Sequence, residues 1–71
     1  MMKKVKTLLR YKNTLEVRLY DTVGEARYSL KDKAFEYFED ILCDYTHATS
    51  FEEIQSYLKE HHISLHIMSL R

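Results

Sequence analysis

The sequence of 71 residues predicts a small α+β domain: an antiparallel sheet of three or four strands with two helices packed on one face, in the order β-β-(β)-α-α-β. Three observations carry this expectation. Apolar and polar residues alternate at both ends of the chain, which is the period of a half-buried strand. Ser29 to Asp32 and Ser50 to Glu53 are both Ser-x-x-acid signatures, and each stands ahead of a stretch with helical periodicity. The chain has no proline and one glycine, and no linker or low-complexity stretch marks a second domain, so residues 1–71 read as one compact unit.

From Lys4 to Tyr11, Val5, Thr7, Leu9 and Tyr11 fall on one face and Lys4, Lys6, Leu8 and Arg10 on the other. Lys12-Asn13 supplies a turn, with Asn13 the residue suited to a left-handed backbone. In the second strand Leu15, Val17 and Leu19 are expected to face inward and Glu16, Arg18 and Tyr20 outward. Asp21 to Gly24 reads as a second turn, the glycine at its last position. A short third strand then places Ala26, Tyr28 and Leu30 inside.

The first helix is expected to start at Ser29, with Asp32 near the positive end of its dipole. Leu30, Ala34, Phe35, Tyr37, Phe38, Ile41, Leu42 and Tyr45 gather in one wide arc on its wheel. Ser50 and Glu53 open a second helix whose buried stripe is Phe51, Ile54 and Leu58, with Tyr57 at its edge, ending near His61-His62. Ile63, Leu65 and Ile67 alternate with Ser64, His66 and Met68 in a closing strand.

The formal net charge of zero conceals two opposite halves. Residues 1–33 carry nine Lys or Arg against four acids, and the remainder carries Lys59 and Arg71 against seven acids, giving +5 and −5. Such asymmetry points to charged surfaces and to partners more than to chemistry. A core of this size supplies only about 3–5 kcal/mol, so a homodimer or a bound partner is a natural source of further stability. No apolar run reaches the ~18 residues of a membrane span, and Met1 to Tyr11 lacks the apolar region of a secretory signal. With a single cysteine, these features fit a cytoplasmic protein.

Catalytic and metal-binding arrangements are poorly supplied. Asp40, Cys43 and His47 have a permissive spacing for a metal on a helix, but a fourth ligand is lacking, because His61 and His62 belong to the far end of the second helix. Cys43 with His47 has neither an orienting third group nor an oxyanion hole. With one glycine there is no phosphate-binding loop. No catalytic residue, metal or cofactor is therefore expected, and the reading is non-enzymatic.

Two surfaces remain. Glu36, Asp40 and Asp44, at successive i+4 positions of the expected helix, form an acidic stripe flanked by Tyr37 and Tyr57. Like charges at this spacing do not help a helix, so a cationic partner surface, including one that normally receives nucleic-acid phosphate, is their functional reading. This leads to a protein-binding module that regulates or inhibits a larger protein, of a kind that suits a phage or mobile element as well as a host. The alternative is nucleic-acid binding by a basic sheet face of Lys4, Lys6, Arg10, Arg18, Tyr20 and Arg27, where basic groups meet backbone phosphates and the tyrosine stacks a base.

Overall fold

The computed structural model describes residues 3–70. Strands β1 (Val5–Tyr11) and β2 (Thr14–Tyr20) form a hairpin, helices α1 (Val23–Tyr37) and α2 (Phe51–Lys59) follow, and β3 (Ile63–Ser69) closes the chain. The sheet order is β2-β1-β3, antiparallel throughout, so the strands before and after the helical segment, β2 and β3, flank a central β1. This is the two-helix, antiparallel-sheet architecture the alternating and helical periods imply. The bracketed third strand does not form.

Residues 25–30 are helical because the true start of α1 lies six residues before Ser29. Thr22 is extended (φ −132°, ψ 157°) and its hydroxyl accepts from the Glu25 backbone N–H at 3.1 Å. Thr22-Val-Gly-Glu25 thus caps the helix through the threonine hydroxyl, which also donates to the Glu25 carboxylate at 3.4 Å, with Glu25 near the positive end of the helix dipole. Ser29 sits within the helix instead, hydrogen-bonded to the Tyr20 hydroxyl. Ala26, Leu30 and Ala34, one turn apart, form the buried face.

α1 also ends early, at Tyr37, with Phe38 as C-cap (φ −126°, ψ 38°). Its last turn has no basic residue, and Glu36, Glu39 and Asp40 crowd the negative end of the dipole, which disfavours continuation. Asp, Cys, Tyr and Thr in residues 40–46 add little helix propensity. The chain turns repeatedly instead: Leu42 N–H donates to the Phe38 carbonyl at 2.9 Å and Tyr45 N–H to that of Leu42 at 2.9 Å. These turns keep Phe38 and Leu42 in the core and Ile41 and Tyr45 against it, the apolar arc expected of a longer helix. Tyr37 is exposed.

α2 follows its signature closely. Ser50 Oγ accepts from Glu53 N–H at 3.2 Å, Phe51, Ile54 and Leu58 are buried, and Lys59 lies in the last turn. The core lies between the helices and the β1–β3 half of the sheet. Leu9, Leu42, Ile54, Leu58 and Leu65 are the largest of its fully buried side chains. Each contributes roughly 1.5–3 kcal/mol by leaving water.

β2 takes the face opposite to the one expected. The two-residue loop Lys12-Asn13 pairs Tyr11 with Thr14, and the same register pairs Leu9 with Glu16 and Leu8 with Val17. Directly opposed residues share a face, so Thr14, Glu16, Arg18 and Tyr20 turn toward the helices while Leu15, Val17 and Leu19 turn away. No residue of β2 is buried. Its helix-side groups find polar partners near α1: Tyr37 Oη donates to Glu16 at 3.2 Å, and Arg18 Nε meets the other Glu16 oxygen at 3.4 Å. The left-handed residue of the loop is Lys12 (φ 52°), not Asn13.

Candidate functional site

The face of the sheet turned away from the helices is uncovered. Across it run three rows, read from β2 through β1 to β3: Leu19, Lys6, Met68; then Val17, Leu8, His66; then Leu15, Arg10, Ser64. Leu15 is 57% exposed, Val17 48% and Leu19 49%, and Met68 is also exposed. Three aliphatic side chains of one strand exposed side by side form a contiguous apolar strip, the usual mark of an interaction surface. Lys6 and Arg10 rise from its middle strand, and neither has an ion-pair partner among the described residues. No carboxylate lies on the strand positions of this face.

The basic set expected from the sequence is divided by this register. Lys6 and Arg10 are on the open face, and Lys4 lies just before β1, exposed. Arg18 and Tyr20 are on the helix side. Arg27 is in α1, its guanidinium 2.6 Å from a Glu52 oxygen and 5.1 Å from the Phe51 ring centroid. That ion pair joins the two helices and holds the Glu52 carboxyl below its ordinary range. With Tyr11 and Tyr20 both on the helix side, the exposed imidazole of His66 is the one ring on the strand positions of the open face, and no tyrosine or phenylalanine stands there for a base to stack on.

The acidic set is divided as well. Glu36 is in the last turn of α1, 3.9 Å from Lys33, whereas Asp40 and Asp44 lie in the turns beyond the helix end and share no helical stripe with it. Tyr57 packs at the edge of the core, its ring 4.7 Å from Tyr45 and 5.0 Å from His61. Burial, reinforced by Tyr57, pushes the Tyr45 phenol up. Tyr37 and Asp40 do come together, in an open groove of about 530 Å³ shared with Tyr11, Phe38, Ile41 and His61.

Early termination of α1 also removes the helical spacing of Asp40, Cys43 and His47. Cys43 is an exposed free thiol. His47 stacks on Phe35 at 4.3 Å and lies 3.5 Å from Asp32. Among the described residues, no three His, Cys, Asp or Glu side chains converge as a metal site would require, and no helix is long and apolar enough to cross a membrane.

Sequence reasoning missed Leu8, Leu15, Val17, Leu19, His66 and Met68 as a single surface. The signal was present: Tyr11 inward, followed by a two-residue loop, forces Thr14 inward and Leu15 outward. Comparison with protein-family models, with curated proteins and with solved structures finds no match to this chain.

Proposed function

We propose that this chain is a non-enzymatic protein-binding module, a stoichiometric regulator of a larger protein, and that it docks through the open sheet face. The observation that supports this reading is the uncovered strip of Leu15, Val17 and Leu19 beside Lys6 and Arg10, which have no ion-pair partner among the described residues. The partner it fits is a protein surface with an apolar centre and an acidic rim. Charge complementarity then sets orientation and on-rate, while the aliphatic strip supplies affinity. Nucleic acid is less well matched, because Leu8 and Val17 fill the space between the two cations and the tyrosines of β1 and β2 lie on the other side of the sheet, which leaves the His66 imidazole as the one ring on this face.

The test is capture from the native host with three proteins. Wild type and a Glu36→Lys/Asp40→Lys/Asp44→Lys variant should retain the same partner, and a Leu8→Glu/Arg10→Glu variant should lose it. Leu8 and Arg10 are on the central strand, so neither change touches a free edge. Capture that survives the face variant, or that is abolished by the acidic reversal, overturns the docking face. Steeply salt-dependent binding to generic DNA, flattened by Lys6→Ala or Arg10→Ala, would favour the nucleic-acid alternative.

A further inference from the structure

The two edges of the sheet are unequal. At the β3 edge the Gln55 amide donates to the Leu65 carbonyl, so α2 already occupies part of that rim. Leu70 N–H donates to Lys4 O at 2.7 Å, which places even-numbered residues of β3 toward β1 and odd-numbered ones, Leu65 included, toward the rim. At the β2 edge the hairpin sets the same alternation. Tyr11 and Thr14 flank the two-residue loop and form a hydrogen-bonded pair, so Thr14, Glu16, Arg18 and Tyr20 direct their backbone groups at β1. The N–H and C=O groups of Leu15, Val17 and Leu19 therefore point outward from the sheet. A bare edge of this kind is a template for another strand.

We propose that the strand it accepts is β2 of a second copy, antiparallel about a two-fold axis at Val17. In that register Val17 meets Val17, Leu15 meets Leu19, and Glu16 meets Arg18 of the second copy, each pair on one face. The backbone alternation agrees with it, because Leu15, Val17 and Leu19 are the residues with free groups and they pair only with one another. Charge selects it from its neighbours. A two-fold centred on Glu16 opposes two glutamates, and one centred on Arg18 opposes two arginines, each a like-charge cross-strand contact. Centred on Val17, both charged pairs are attractive, and the Glu16–Arg18 contact already made within one strand at 3.4 Å has an equivalent partner across the axis.

The product is one continuous antiparallel sheet in the order β3-β1-β2-β2-β1-β3 with closed symmetry. Its open face joins the two strips of Leu15, Val17 and Leu19 into one. The pairing is separate from partner docking and stands or falls without it.

The experiment is sedimentation equilibrium on the full chain from ~1 µM to ~1 mM, with amide exchange on the wild type at both extremes. A contact made by one edge strand from each copy belongs with small, transient interfaces, so association should appear within this concentration range. The Val17 and Leu19 amides should gain protection with concentration, and the Leu65 amide should not. Arg18→Glu, which replaces both attractive pairs by repulsive ones, should weaken the dimer about tenfold. The Glu16→Arg/Arg18→Glu exchange should restore it. Val17→Pro removes an outward donor while leaving the hairpin bonds in place, and should abolish association. A monomer at every concentration overturns the proposal. So does a dimer that survives Arg18→Glu and Val17→Pro, or one that the charge exchange fails to restore in a folded protein.

Discussion

Three backbone positions are occupied by residues that their conformations do not favour, and exchanging them should raise stability. The only glycine, Gly24, lies in the first turn of α1 with no positive φ, and a Cβ there would meet nothing closer than Thr22 Oγ1 at 3.9 Å. Glycine in a helix costs roughly 0.5–1 kcal/mol relative to alanine, so Gly24→Ala should recover about that amount. The left-handed positions, by contrast, carry side chains: Lys12 (φ 52°) in the β1–β2 loop and His62 (φ 65°) between α2 and β3. A Cβ in this region costs roughly 1–2 kcal/mol, of which glycine returns ~0.5–1 through its greater freedom when unfolded. Lys12→Gly and His62→Gly should each stabilise by about 0.5–1 kcal/mol. Gly24 is in the first turn of α1 and Lys12 in the β1–β2 loop, two separate elements, so Gly24→Ala with Lys12→Gly should add to about 1–2 kcal/mol. For a domain this small that raises Tm by roughly 5–15 °C, readable by circular dichroism. A fall in Tm on Lys12→Gly would refute the left-handed loop, and a fall on Gly24→Ala would refute the early start of α1.

Ile54→Ala should cost about 2–5 kcal/mol, since Ile54 is fully buried at the centre of the core, and a urea midpoint close to wild type would contradict that placement. The Arg27–Glu52 pair adds a pH dependence with a defined sign. Because Arg27 lowers the folded-state pKa of Glu52, its contribution is present above the unfolded value and is lost as pH falls below about 4. Glu52→Gln should therefore destabilise at pH 7 and make less difference at pH 3 in urea titrations; an equal difference at both would mean the pair contributes nothing.

Much of the fold was legible in the residues. The alternation of Val5, Leu9, Ile63 and Leu65 marks the inner faces of β1 and β3, and Ser50 with Glu53 marks the start of α2, because in each case one local signal acts alone. Reading failed where two signals competed. Gly24 suggested a turn, yet Thr22 and Glu25 form a cap that tolerates a glycine in the first turn. Continued apolar periodicity suggested helix to Tyr45, yet acids at the dipole's negative end stop α1 at Tyr37 while the following turns bury Leu42 all the same.

In β2 the alternation of Leu15, Val17 and Leu19 points to the wrong inner face. Alternation shows that a strand has two faces and cannot say which is inside; the hairpin loop decides that by parity. The candidate surfaces inherited the error. Arg18 and Tyr20 moved to the helix side, and the leucines and valine moved into water.

The exposed β2 face is tested most directly by the triple variant Leu15→Thr/Val17→Thr/Leu19→Thr. These side chains carry no core packing in this fold, so the variant should keep a cooperative transition with Tm within about 5 °C of wild type while losing its captured partner. If the three residues instead faced the helices, the substitutions would remove core side chains at roughly 2 kcal/mol or more apiece and the protein would unfold. An unfolded triple variant, or a folded one that still holds the partner, would contradict the account.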